Sequence, residues 1–176
     1  MTQQRRRLDI ILDDDFIDNL QSLELGELRD RRQVAADVES ELSYYRRLLH
    51  GRMDLLNFEL ARRSGEETRS LIEALPQILG AGETAGGQSG RVRGEFDADL
   101  AGQGSRPVDV VLQDDFLTRI SDMEVSELEE IQEILTETET SVSDQRRAVQ
   151  RVFDTVQEEI TRRYRQSVVD EIDDED

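Results

Sequence analysis

Residues 8–63 lie over residues 108–163 without a gap, and this repeat constrains the fold more than any other feature of the chain. LDIILDDDF (8–16) matches VDVVLQDDF (108–116). Glu24, Glu27, Leu28, Glu39, Ser43, Arg46, Arg47, Asp54, Glu59, Arg62 and Arg63 all recur 100 positions later. Conservative pairs join them: Leu42 with Val142, Leu49 with Val149, Met53 with Phe153, Leu56 with Val156, Leu60 with Ile160. An internal duplication of about 56 residues puts two copies of one supersecondary unit in a single chain.

Between the copies the texture changes. Eight of the 11 glycines fall within residues 80–104, among Ser, Thr and Gln, which is the composition of a flexible linker. The organisation read from this is a first helical repeat over 1–79, a linker over 80–107 and a second helical repeat over 108–176. The second repeat ends in an acidic tail, DEIDDED after Val169, expected to fray. Residues 66–79 (EETRSLIEALPQIL) predict a short helix interrupted near Pro76.

Each copy carries a short element and a long helix. The spacing of Phe16, Leu20 and Leu23 predicts a short helix from about Asp14, with Asp14 and Asp114 as N-caps. The long helices are expected from near Gly26 and Ser126 to Arg63 and Arg163, with no proline between. Ser126 and Glu129 suggest a capping box there. In copy two, Leu128, Ile131, Leu135, Thr138, Val142, Gln145, Val149, Val152 and Val156 step by threes and fours. Copy one gives Leu28, Arg31, Ala35, Val38, Leu42, Tyr45, Leu49, Arg52 and Leu56, with more interruptions. That is a coiled-coil seam. A linker of about 27 flexible residues averages about 30 Å end to end, against about 55 Å for each long helix. Antiparallel pairing spares it the return journey, although an extended chain can span it. The expected fold is all-α: an antiparallel coiled coil of two long helices, each preceded by a short helix.

Composition removes many function classes. The chain has no Cys and 1 His, which excludes disulfide scaffolds, thiol catalysis and Cys- or His-built metal centres. A formal charge of −19 argues against direct nucleic-acid or anionic-membrane binding and suits a basic protein partner. Arg5, Arg6 and Arg7 are followed by Asp9 and Asp13 to Asp15 where a signal peptide needs an apolar run, and no segment reaches membrane-spanning length. The expectation is a soluble cytoplasmic protein. Phe16, Leu20, Phe116 and Ile120 either fold back on the coil or face a partner, and both readings stand at this level.

A second pattern runs beside the seam. Glu39, Ser43, Arg46, His50 and Asp54 share one stripe about 80° wide, and Glu139, Ser143, Arg146, Gln150 and Asp154 share another. Both fall near mid-helix, so antiparallel pairing would bring them together in one composite site. Their chemistry suits a guanine nucleotide. Arginine donates two parallel bonds to the guanine edge or clamps a phosphate, and aspartate accepts from the guanine N1–H and N2–H groups. The other reading is a solvated helix face with intrahelical ion pairs.

The spacing Glu-x3-Ser-x2-Arg-x3-Gln-x3-Asp resembles the signature of the RsiG family of actinobacterial anti-sigma factors. Residues 139–154 fit it throughout; residues 39–54 depart only in His50, which lacks an amide's paired donor and acceptor. The resemblance implies an antiparallel coiled coil binding two molecules of cyclic di-GMP through these ten residues. It also implies capture of a WhiG-type, flagellar-type sigma factor by the loaded protein, which silences sporulation genes. The duplication points to a monomer that forms a one-to-one heterodimer. No phosphate loop, nucleophile–base pair or metal cluster supports an enzyme. A ligand-independent coiled-coil adaptor is the alternative.

Overall fold

A computed structural model of the chain describes residues 7–81 and 116–173. Among the described residues the regular structure is helical, with no strand. The elements are α1 (Arg7–Ile11), α2 (Leu25–Ser64), α3 (Leu71–Ala81), α4 (Phe116–Arg119) and α5 (Val125–Asp173). Two 3₁₀ turns, Asp14–Phe16 and Leu20–Ser22, lie between α1 and α2. The expected linker lies outside the described residues from position 82 onward, as does Asp114. No described helix is long and apolar enough to cross a membrane.

The chain divides into two compact units, Met1–Leu42 with Asp144–Asp176 and Ser43–Ser143. Each contains part of α2 and part of α5. In the first unit Arg29 meets Tyr164, Arg32 donates to Gln157, and Arg146 donates to Glu39. In the second, His50 meets Glu139, Gln132 donates to Asn57, and Arg63 reaches Met123. As the number on α2 rises, the number on α5 falls, so the helices run antiparallel in each unit.

The seam is the core. Leu28, Ala35, Val38, Leu42, Tyr45, Leu49 and Leu56 are buried on α2; Leu128, Leu135, Val142, Val149, Val152 and Val156 are buried on α5. The two arginines that interrupt the copy-one seam have aromatic partners. Arg31 sits over the Phe16 ring at 5.3 Å and donates to the Phe16 carbonyl; Arg52 sits over the Phe116 ring at 5.6 Å. Their apolar stems can thus remain at the seam while the cations face π-electrons. Phe116, Ile120 and Leu20 are buried and Phe16 is half-buried, so these apolar residues fold back on the coil. Leu20 packs with Leu28, Val156 and Ile160.

The short element of copy one differs from the single helix its spacing predicts. Asp13, not Asp14, is the cap: its carboxylate accepts from the Asp15 N–H at 3.3 Å. Asn19 then adopts a left-handed conformation (φ 57°), which Asn tolerates, and this splits the stretch into two 3₁₀ turns. α1, whose Leu8 and Ile11 are buried, precedes them unannounced by the spacing.

The long helices start one residue before the positions read from Gly26 and Ser126. Glu27 accepts from the Glu24 N–H at 2.9 Å and Glu127 from the Glu124 N–H at 2.8 Å. The glutamate half of a capping box therefore closes at 24–27 and 124–127, instead of pairing Ser126 with Glu129. α2 ends as expected. Gly65 is left-handed (φ 82°), its N–H donates to the Arg62 carbonyl, and Glu66 N–H donates to the Ala61 carbonyl, a Schellman stop. Arg165 stands 100 residues after Gly65, and without the glycine α5 runs on to Asp173, well past Arg163.

α3 also departs from the reading of 66–79. Ser70 and Glu73 form a full capping box, which sets the start at Leu71. Pro76 sits inside the helix without breaking it. The carbonyl that loses its donor belongs to Ile72, which is 84% exposed and open to water.

Candidate ligand-binding stripes

The stripe residues meet across the two helices in two clusters, one in each unit. In the first unit Arg146 Nη1 donates to Glu39 Oε1 at 3.1 Å, and both side chains are about a quarter exposed. Arg146 Nε is buried without an acceptor. A buried unpaired donor costs about 1–3 kcal/mol, so this guanidinium has unspent hydrogen-bonding capacity.

In the second unit Glu139 is the hub. Its Oε1 lies 3.0 Å from His50 Nε2, accepts from Ser143 Oγ at 2.8 Å and lies 3.9 Å from Arg46 Nη1. The His50 hydrogen bond, helped by Ser143, holds the Glu139 carboxyl below the usual glutamate range, against the opposing effect of burial. A carboxylate that stays ionised keeps its short contacts with His50 and Ser143.

Four stripe residues remain. Ser43 is half-buried, and its backbone carbonyl accepts from Arg47 Nε at 3.4 Å. Asp54, Gln150 and Asp154 are exposed, and among the described residues their side chains have no hydrogen-bond or ion-pair partner. Glu39 and Glu139 are half-buried in the same way, as are Arg46 and Arg146. Each stripe thus runs from a shielded Glu–Ser–Arg end, near the seam, to an open end with an unengaged aspartate. Chemically, the guanidiniums can pair with a phosphate or a guanine edge, and the free carboxylates can accept from N–H donors. Among the described residues no cluster of His, Asp and Glu is arranged to hold a metal ion.

A second recurring set was visible in the repeat, but its burial was not. Glu59 is 1% exposed and Glu159 8% exposed. Arg62 grips Glu59 with two bonds of 2.8 Å, and Arg162 grips Glu159 likewise. Arg63 and Arg163 add a third contact at 2.7 and 2.9 Å. Arg63 then donates to the carbonyls of Ile120, Ser121 and Met123, and Arg163 to those of Leu20 and Leu23. Each arginine ties down the segment that leads into the opposite long helix. Pairing with two guanidiniums is what lets a carboxylate sit inside the coil.

The model of the RsiG-like family matches residues 14–79, which contain the 3₁₀ turns, α2 with the first stripe, and α3 to Leu79. This stretch is RsiG-like. The RsiG-like match thus takes in the departure at His50, while the second stripe, 139–154, lies outside the matched range. No curated protein matches the chain.

Proposed function

We propose that the chain is an RsiG-type anti-sigma factor that binds cyclic di-GMP and, when loaded, sequesters a WhiG-type sigma factor, repressing sporulation genes. The observation that carries this reading is the reciprocal cross-helix pairing: Glu39 with Arg146 and Glu139 with Arg46. In each unit the pairing gathers a guanidinium and a carboxylate from different helices, as recognition of a large polar ligand requires. The RsiG-like match over the first stripe supports it from a separate direction.

In this proposal Glu39, Ser43, Arg46, His50, Asp54, Glu139, Ser143, Arg146, Gln150 and Asp154 contact nucleotide, two molecules being held. Arg46 and Arg146 bind phosphate or the guanine edge, and Asp54 and Asp154 accept from guanine. The partner is basic, in keeping with the formal charge of −19. The chain acts in the cytoplasm as a monomer formed by duplication around a flexible linker. Retention of radiolabelled cyclic di-GMP by the purified chain, alone and with the sigma factor, tests the proposal. Retention in neither state leaves a ligand-independent adaptor as the better description.

A further inference from the structure

The two stripe clusters are unequal, and the stripes differ in residue type at one position, His50 against Gln150. Arg146 Nη1 is 3.1 Å from Glu39 Oε1, whereas Arg46 Nη1 is 3.9 Å from Glu139 Oε1. The nearer neighbours of Glu139 Oε1 are His50 Nε2 at 3.0 Å and Ser143 Oγ at 2.8 Å. A carboxylate oxygen has two lone pairs, so two short donors fill it and leave Arg46 outside hydrogen-bond range. Gln150, the counterpart of His50, has no side-chain hydrogen bond among the described residues and leaves Arg146 its glutamate.

We propose that His50, beyond its place in the nucleotide site, draws Glu139 away from Arg46 and makes Arg46 the more available guanidinium for a phosphate-bearing ligand. The inference rests on the reading that the stripes bind a nucleotide, and it adds an order to the binding. The ligand engages the Arg46 cluster first, because there no short ion pair is exchanged. It engages Arg146 second, in competition with Glu39. His50 thereby compensates for the amide it replaces in the signature.

Titration calorimetry of cyclic di-GMP into the full chain tests this with two opposite substitutions. His50→Gln releases Glu139 toward Arg46 and should weaken the tighter binding step about two- to five-fold, the range expected from restoring a part-exposed ion pair. Gln150→His draws Glu39 from Arg146 and should tighten the weaker step by a similar factor. Nitrogen-15 spectra without nucleotide supply a readout that general destabilisation would not move. Exchange of the Arg46 guanidinium protons should slow in His50→Gln, and that of Arg146 should quicken in Gln150→His. A binding parent whose His50→Gln variant has the same affinities and the same Arg46 exchange overturns the role of His50 alone. A parent that binds no nucleotide overturns the function it rests on as well.

Discussion

Glu39 on α2 accepts a hydrogen bond from Arg146 on α5 at 3.1 Å, joining the two stripes through residues 107 positions apart. Both side chains remain partly open to solvent. The pair is therefore weak as a stabiliser and well placed for exchange with a ligand, since part-exposed ion pairs contribute about 0.2–1 kcal/mol.

Arg146→Lys keeps the charge but loses the planar fork. Binding of cyclic di-GMP should weaken roughly 5- to 150-fold, the equivalent of about 1–3 kcal/mol for a lost bidentate contact. The melting temperature should barely move, because the ammonium still faces Glu39. Parent-like nucleotide affinity in both Arg146→Lys and Arg146→Ala would reduce the stripe to a solvated helix face.

Arg163→Ala should act on stability instead. It removes the donors to the Leu20 and Leu23 carbonyls while Arg162 still holds Glu159. Three charge-assisted bonds are lost, the one to Glu159 included, so urea denaturation should show a decrease of at least about 1.5–3 kcal/mol. Amide exchange should quicken first over residues 14–23. Uniform quickening along α5, with residues 14–23 unaffected, would mean that Arg163 does not anchor that segment.

Acid should act through the buried glutamates. Arg162 above all, then Arg163, holds the Glu159 carboxyl at about 2 against burial, and Arg62 with Arg63 holds Glu59 low as well. A carboxyl depressed in the folded state stabilises fully above its ordinary value near 4.5, and that stability is lost as pH falls toward 2. The melting temperature should be level above that ordinary value and decline below it. Glu159→Gln should flatten the decline; a profile superimposable on the parent's would exclude Glu159 as its source.

The open space around Gly51 makes a stabilising substitution available. A Cβ there meets nothing within 4 Å, and the residue lies inside α2. Gly51→Ala should raise unfolding free energy by about 1 kcal/mol, as for an interior helix glycine. A loss of stability on chemical denaturation would show that the backbone at this point is not regular helix.

The seam was legible because burial at every third and fourth residue leaves a direct mark on residue type, and even its exceptions, Arg31 and Arg52, occupy seam positions. The turns before α2 were not. Phe16, Leu20 and Leu23 obey helical spacing, but one left-handed residue, Asn19, redirects the backbone without altering that spacing. Helix starts were misplaced for a related reason: Ser126 and Glu129 have capping chemistry, yet Glu127 reaches the Glu124 N–H first. Within the stripes, the residues and their spacing could be read directly. Which glutamate faces which arginine could not, since that depends on cross-helix register. Nor could the burial of Glu59 and Glu159 be foreseen, although their recurrence with two arginines at i+3 and i+4 was the available signal.

The most direct test titrates a WhiG-type sigma factor into the chain with and without saturating cyclic di-GMP, following complex formation by calorimetry and mass by light scattering. The expected result is a one-to-one complex whose formation requires nucleotide, and whose affinity falls in parallel with nucleotide affinity in Arg146→Lys. Equal capture without nucleotide, or no capture in its presence, would contradict a cyclic di-GMP-gated anti-sigma factor.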